Sequence, residues 1–452
     1  MLHFPPHGLR FLATLPEPEP VTEPCPLIVT PGSESRQALG GAVLLGLIAA
    51  LPLVATAAPQ SREAVRAHAA AASALGAKLF VDPRLSPSGK VACATCHDPA
   101  HAYGPPNGLA VQLAGGDLRQ PGLRAVPSIK YLQAVPPFTE HFFESEDEAD
   151  ESVDNGASGG LAWDGRADRG KEQARFPLLS PFEMANASPE AIVAEALAAG
   201  YGPALDAVGG AGAAADPERA YTTILDALEV YEQDWRTFYP YTSKYDAWLA
   251  GEAELTPAEA RGRALFEAED KGNCASCHFS APGFDGTPPQ FSDYGMIALG
   301  LPRNPEIPAN ADPGWHDLGL CGPIRTDFAG VAGYCGLFRA PTLRNITERK
   351  AFFHNGVIHD LREAVAFYVT RDTDPGRWYP KLPDGSIAKF DDLPARYRVN
   401  VNMDPPFGGS PGGQPALTEA EIDDVVAFLG TLADGWAPPP DELVSVPPPA
   451  TR

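Results

Sequence analysis

A five-residue pattern, Cys-x-x-Cys-His, occurs twice in this chain and constrains its fold more than any other feature. The copies are Cys93-Ala-Thr-Cys96-His97 and Cys274-Ala-Ser-Cys277-His278. This spacing is the attachment signature of a c-type haem, in which both thiols bond to the haem and the His binds its iron. Zinc half-sites are the alternative, but they give no role to the His that follows each pair. The chain is therefore predicted to carry two covalently bound haem c groups.

An apolar, uncharged segment at residues 38–57 precedes the first motif and ends in Ala55-Thr56-Ala57, an A-x-A cleavage pattern. Haem is attached in this way outside the cytoplasm, so an export signal is expected. We interpret residues 1–57 as an N-terminal extension and signal peptide cleaved near Ala57, and expect a periplasmic protein. An uncleaved membrane anchor is the alternative, because about 20 apolar residues can span a bilayer.

The remaining cysteines and the charge add two expectations. Cys25 precedes the cleavage point, whereas Cys321 and Cys335 are 14 residues apart in a Gly-rich segment. In an oxidising compartment a disulfide between these two is expected, with free buried thiols as the alternative. The formal net charge of −24 argues against a nucleic acid partner and would attract a basic partner protein.

Helix signals surround both motifs and indicate one haem module that is duplicated. Leu75–Phe80 and Gly262–Phe266 resemble helix ends that lead into the motifs. Two helix starts have capping boxes, Thr256 with Glu259 and Thr418 with Glu421, and Pro257 suits a first turn. In the last helix the predicted apolar face is Ile422, Val425, Val426, Leu429 and Leu432.

About 395 residues follow the signal segment, too many for one core, so two domains are expected. Strand signals are weak and Gly and Pro are abundant, which predicts a mainly α protein with two cytochrome c-like haem domains and long loops. The predicted ranges are 58–240 for the N-terminal domain and 241–436 for the C-terminal domain, joined at a linker near 236–255. The acidic segment 144–160 is predicted to be a surface loop and 437–452 a Pro-rich tail.

Further motifs follow the haem motifs in a specific order. They are Trp163-Asp-Gly-Arg-Ala167, Gln173-Ala174, Pro181-Phe-Glu-Met184, Phe338-Arg-Ala-Pro-Thr-Leu-Arg-Asn345 and Phe352-Phe-His-Asn-Gly356. In this order, residues 70–435 resemble the bacterial di-haem cytochrome c peroxidase family, and in particular its MauG/MbnH-like branch. The resemblance implies a high-spin, peroxide-reactive haem bound by His97 and a low-spin haem bound by His278.

The resemblance also implies the residues that act on peroxide. Splitting peroxide requires a group that moves a proton between its oxygens and a donor that supports the departing oxygen. Glu183 is the candidate acid/base and Gln173 its polar companion, and Trp163 corresponds to the family Trp between the haems. The alternatives are a surface carboxylate, an exposed helix amide and a core Trp.

Two departures from the common family pattern concern the iron ligands. Peroxidases that need reductive activation carry a blocking His near position 117, where this chain has Asp117 and no His between His101 and His141. The first iron is therefore expected to be open, with His101 in a local packing role.

The sixth ligand of the second iron lies fourteen residues after His354 in the family register, which gives Tyr368 in place of the usual Met. An anionic oxygen ligand stabilises oxidised iron. Met296 and Met403 are rival ligands, and a packed core Tyr is the alternative role.

The family's calcium between the domains is less well matched. Its Asn ligand corresponds to Ala125, whereas the carbonyls of Arg349 and Ala351 remain available. Calcium binding through carbonyls and water stays open.

The expected function is a periplasmic di-haem peroxidase that uses hydrogen peroxide to oxidise a redox partner protein. An ordinary cytochrome c peroxidase, supplied with electrons by a small c-type cytochrome, is the alternative enzyme. A non-enzymatic di-haem electron carrier is the alternative from another class.

Overall fold

The computed structural model describes residues 61–140 and 156–438. Four predicted features lie wholly or mostly outside these residues: the signal segment 1–57, Cys25, the acidic loop 144–160 and the tail 437–452. Within the described residues, no single helix is long and apolar enough to cross a bilayer. One pair, Pro189–Ala198 and Gly202–Gly209, passes that test of length and composition only as two pieces bent by 118°.

The described residues form a mainly α structure, as predicted. The α-helices are α1 Arg62–Val81, α2 Cys93–Cys96, α3 Gly170–Leu179, α4 Pro189–Ala198, α5 Gly202–Gly209, α6 Pro217–Glu232, α7 Trp235–Phe238, α8 Lys244–Leu249, α9 Pro257–Glu267, α10 Leu361–Thr370, α11 Pro375–Trp378 and α12 Glu419–Gly430. Three antiparallel pairs of two-residue strands accompany them: β1 Leu113–Ala114 with β2 Gln120–Pro121, β3 Thr139–Glu140 with β4 Ala157–Ser158, and β5 Met296–Ile297 with β6 Phe338–Arg339. Long loops and short 3₁₀ helices connect these elements.

The predicted capping boxes are both present. Thr256 accepts a hydrogen bond from the Glu259 amide at the start of α9, and Thr418 does the same for Glu421 at the start of α12. The predicted face of α12 needs one correction. Leu432 lies beyond the helix end at Gly430, although it is buried, and Phe428 is the fully buried residue that the prediction omitted.

Buried apolar residues form two clusters within one compact unit. The first is built mainly from α1, α3, α4 and α6, and the second from α9, α10 and α12. Phe238 is the last residue of the first cluster and Tyr245 is the first of the second, so the crossover falls inside the predicted linker. That linker also contains most of α7 and all of α8. The domain boundary itself stays a prediction.

The same helix crossing occurs in both halves. A Cβ on Gly76 of α1 would lie 2.0 Å from the Ala227 carbonyl oxygen of α6, and one on Gly262 of α9 would lie 1.9 Å from that of Asp424 in α12. Only glycine permits such close backbone approach. In each half the helix that leads into the haem motif is therefore locked against another helix of that half.

The predicted disulfide between Cys321 and Cys335 is present. Between the two cysteines lies Arg325, whose Nη1 donates to the Asp164 carbonyl at 2.7 Å. The disulfide therefore closes the loop that supports the backbone beside Trp163.

Replacing Cys321 and Cys335 together by Ser should lower the free energy of unfolding by about 3 kcal/mol, because the bond restricts the unfolded chain. Denaturant unfolding of the oxidised holoprotein measures this. A thiol reductant should lower the stability of the wild type similarly and leave the double variant unchanged. Equal stability of oxidised wild type and variant would contradict the expectation.

Candidate haem sites and the region between them

The first motif forms the short helix α2, which follows α1 and a 3₁₀ turn. Leu79 and Phe80 at the end of α1 are fully buried, which anchors the approach to the motif. His97 Nδ1 lies 3.1 Å from the Tyr103 carbonyl oxygen. Burial lowers the pKa of His97 to about 4, against the opposing effect of the carbonyls of Tyr103 and Pro127. A neutral ring that donates from Nδ1 keeps Nε2 free to bind a metal.

The second motif has the same construction. It follows α9 and begins with a 3₁₀ turn at Cys274–Ser276. The His278 Nδ1 lies 2.8 Å from the Phe291 carbonyl oxygen, and burial lowers the pKa of His278. Both motifs therefore present a neutral imidazole with its Nε2 available.

The thiols of both motifs are protonated and do not cluster with other potential metal ligands. None of the four motif cysteines is in a disulfide, and burial raises the pKa of Cys93, Cys96 and Cys274 to about 12. Across residues 61–140 and 156–438, no group of three or more His, Cys, Asp and Glu residues could hold a metal ion. The two motifs therefore do not combine into a zinc site.

A mostly apolar cavity contains the second motif, and Tyr368 of α10 lines it together with His278. The Tyr368 hydroxyl makes no hydrogen bond to another described residue, and burial raises its pKa above the usual range. Its oxygen is therefore available to a group bound in the cavity.

The rival ligands have other contacts. Met403 is 47% exposed and its sulfur lies 3.3 Å from Nη2 of Arg371. Met296 belongs to β5 and pairs with Arg339 of β6. Neither Met lines the cavity that contains His278 and Tyr368. The arrangement therefore favours Tyr368 over both.

Glu183 lies beside the first motif, just after α3. Its amide donates to the Ser180 carbonyl at 3.0 Å and its carbonyl accepts from Gly115 at 2.8 Å, which fixes its backbone. The Glu183 charge contributes to the raised pKa of Cys96, so Glu183 lies within electrostatic range of the first motif. The Glu183 side chain is exposed, yet desolvation by the protein around it raises its pKa, and Ser180 and Arg166 oppose this shift.

Gln173 lies on α3, and its side chain is half-buried. No hydrogen bond joins its amide to Glu183 or to another described residue. The structure therefore places the predicted pair on one helix and the turn that follows it, without a direct link between them.

Trp163 lines the cavity that contains the second motif, as does Pro127 of the first half. Its Nε1 donates to the Ala125 carbonyl at 2.7 Å, and its own carbonyl accepts from the Arg339 amide at 2.8 Å. The His354 ring lies 6.5 Å away, edge-on. Trp163 is thus held by backbone from both halves.

A buried ion network supports this Trp, and the sequence analysis did not find it. Arg124 donates to Asp164 at 2.8 Å and to Asp317 at 2.5 Å, and both carboxylates are buried. Burial opposes the charge of Arg124, but the two carboxylates outweigh it and raise its pKa. Asp164 is inside the quoted Trp-Asp-Gly-Arg motif, whereas nothing local marks Asp317 as its neighbour.

The loop that should carry a blocking His connects β1 to β2. Asp117 is exposed there and accepts a hydrogen bond from the Arg119 amide at 2.9 Å. The His101 Nδ1 lies 3.0 Å from the Asp98 carboxylate, consistent with a local packing role. The open first iron stays a prediction.

The residues implied for calcium do not form a convincing site. The Ala351 carbonyl accepts from Nη2 of Arg349 at 2.9 Å, and the Ala125 carbonyl is used by Trp163. Calcium requires six to eight oxygen ligands, commonly carboxylates among them. The guanidinium of Arg349, which the sequence analysis considered only for its carbonyl, occupies this region instead.

Comparison with known proteins agrees with this geometry. A family model described as di-haem cytochrome c peroxidase matches residues 70–254. The methylamine utilization protein MauG of Paracoccus denitrificans is 33% identical over 414 residues, which cover 86% of this chain and 95% of MauG. A cytochrome c551 peroxidase of Nitrosomonas europaea is 28% identical over 307 residues, or 68% of this chain and 75% of the relative.

Solved structures show the same likeness. The diheme peroxidase BthA of Burkholderia thailandensis superposes with a TM-score of 0.70 and 40% identity, covering 80% of this chain and 86% of BthA. A MauG-like protein associated with microbial copper homeostasis superposes with a TM-score of 0.54 and 26% identity. The match covers 83% of this chain and 91% of that protein. The chain therefore belongs to the di-haem cytochrome c peroxidase family, in its MauG-like branch, and is a peroxidase of the kind that uses haem c.

Proposed function

We propose that the haem held by His97 reacts with hydrogen peroxide and that the haem held by His278 shares the oxidising equivalents, which then oxidise a partner protein. The thioether bonds are assigned to Cys93 and Cys96 for the first haem and to Cys274 and Cys277 for the second. One observation carries the proposal: Tyr368 lines the cavity of the second motif, whereas both rival Met residues lie outside it. A tyrosinate ligand favours oxidised iron, so the second haem is suited to store oxidising equivalents.

The polar residues of the first site have a defined task. Haem c, when bound, supplies the iron that exchanges electrons with peroxide. Glu183 accepts a proton from one peroxide oxygen and returns it to the other, so that water can leave. Gln173 supports the departing oxygen by hydrogen bonding. The raised pKa of Glu183 suits this task, because a carboxyl that both takes and gives a proton works best near the operating pH.

Trp163 is assigned the exchange of electrons between the two sites. Its side chain lines the cavity that contains the second motif. Its indole N–H donates to the Ala125 carbonyl, and the chain continues from there to Pro127, whose carbonyl acts on His97 of the first motif. This position supports a role as an aromatic bridge. The buried Arg124 network would keep the ring in place.

The nature of the partner separates two enzyme hypotheses. Oxidation of a partner protein, at a side chain such as tryptophan, follows from stored oxidising equivalents. Reduction of peroxide with electrons from a small c-type cytochrome is the alternative, and the chain resembles both a methylamine utilization protein and a cytochrome c551 peroxidase. In both cases the acidic surface would favour a basic partner over nucleic acid. We place the protein in the periplasm, with residues 58–240 and 241–436 as its two haem domains.

The resting, oxidised holoprotein should show one high-spin and one low-spin ferric signal by electron paramagnetic resonance. The reason is that His97 has no His partner on the β1–β2 loop, whereas His278 shares its cavity with Tyr368. Addition of an external ligand such as cyanide should convert only the high-spin signal. Two low-spin signals without a high-spin one would instead indicate the electron carrier.

A further inference from the structure

Arg349 is a cation without a carboxylate beside it among the described residues. Its Nη1 donates to the Val126 carbonyl at 3.0 Å and its Nη2 to the Ala351 carbonyl at 2.9 Å. Burial lowers its pKa to about 10, with no acidic group opposing the shift. An enclosed charge of this kind is costly unless an anion compensates it, so its position needs an explanation.

Arg349 lies between the two candidate haem sites. It lines the cavity that contains His278 and Tyr368, and its charge contributes to the lowered pKa of His97 on the other side. The cation is therefore close to both candidate haem sites.

The segment Ala125–Pro127 joins these groups. The Ala125 carbonyl accepts a hydrogen bond from Trp163, and the Val126 carbonyl accepts one from Arg349. The next carbonyl, that of Pro127, acts on the His97 ring. The Ala125 amide also donates to the His354 carbonyl at 2.7 Å, which ties the segment to the second half. Arg349 is thus hydrogen-bonded, through Val126, to the same short segment that contacts Trp163 and His97.

Two features disfavour a metal ion at this point. One of the carbonyls that the family resemblance assigns to calcium, that of Ala351, already accepts from Arg349. A divalent ion beside the guanidinium would also be repelled by it, and this repulsion is strong where water is excluded.

We propose that the Arg349 guanidinium is the fixed cation between the two haem sites and takes the place that the family resemblance gives to calcium. The carboxylates that haem c carries are the anions available to compensate it. The proposal rests on the proposed function only in that two haems flank Arg349. It concerns metal content and reduction potential, whereas the proposed function concerns the reaction with peroxide.

Metal analysis of the full-length holoprotein tests the first part. After dialysis against a calcium chelator and then buffer, wild type should contain far less than one calcium per chain. Its haem spectra and both reduction potentials should not change when the chelator or calcium chloride is added. One tightly held calcium per chain, whose removal alters the spectra, would overturn the proposal.

Variants test the second part. Arg349→Met should shift both haem potentials to lower values, because loss of a nearby positive charge disfavours the added electron. Arg349→Lys should restore much of the shift, and Lys350→Met, which removes an exposed neighbouring cation, should not produce it. Unchanged potentials in Arg349→Met, with both haems present, would also overturn the proposal. The wild-type metal analysis remains decisive if Arg349→Met fails to fold.

Discussion

Replacing Glu183 by Gln is expected to slow the reaction of the enzyme with hydrogen peroxide by about 10²–10⁴-fold, the usual contribution of general acid–base catalysis. Gln has nearly the same shape but cannot take up the proton. Because the thiols and the axial His are not altered, both haems should stay bound with their resting spectra. Stopped-flow mixing of the oxidised holoprotein with peroxide measures the rate.

The pH dependence gives an independent signature of the same group. Desolvation by the surrounding protein raises the pKa of Glu183, so its carboxylate forms at higher pH than that of an ordinary Glu. The wild-type rate should rise with pH through this raised pKa, and the rise should be absent in Glu183→Gln. An equal rate and the same pH profile in the variant would remove Glu183 from the mechanism.

Folding of the variant is not expected to suffer. A carboxyl whose pKa is raised in the folded state contributes stability at low pH, and this contribution is lost as pH rises through the folded pKa. At neutral pH, Glu183→Gln should leave the free energy of unfolding unchanged or increase it. Glu190→Gln, an exposed carboxylate at the start of α4, is the matched control and should retain the wild-type peroxide rate.

Replacing Tyr368 by Phe is expected to abolish the long-lived two-electron-oxidised form that peroxide should produce in the wild type. The phenolate oxygen is the group that favours oxidised iron at the second site. Wild type should also lack the near-infrared band that Met ligation gives, whereas Tyr368→Met should acquire it. Spectra of the three proteins before and after peroxide decide this, because the peroxide site itself is not changed.

The structure separates this role from that of a packed core Tyr. The Tyr368 hydroxyl has no hydrogen-bond partner among the described residues, so its removal costs no protein–protein bond. Tyr379→Phe is a matched control: its hydroxyl donates to the Gly300 carbonyl, and its loss should cost about 1 kcal/mol without changing the haem spectrum. If the wild type shows the near-infrared band of Met ligation, Tyr368 is not the ligand and the protein is an ordinary cytochrome c peroxidase.

Several features could be predicted from the chain because they depend on neighbouring residues. The two Cys-x-x-Cys-His motifs, the capping boxes at Thr256 and Thr418 and the Cys321–Cys335 disulfide each rest on a short spacing. Local chemistry of this kind is the same wherever the segment lies in the fold. The ends of helices are predicted less accurately from local spacing. The predicted apolar face of α12 included Leu432, whereas the helix ends at Gly430.

The sequence by itself determined which groups are available: the motif thiols and imidazoles, the caps and an alanine where a calcium ligand was expected. Only the tertiary structure decided which distant groups meet. Arg124 and Asp317 are 193 residues apart, and Arg349 and Val126 are 223 residues apart, yet each pair is hydrogen-bonded. Such contacts depend on how each half folds, including the backbone crossings at Gly76 and Gly262, and on how the two halves then meet. No local spacing specifies them, since burial and charge act through space rather than along the chain.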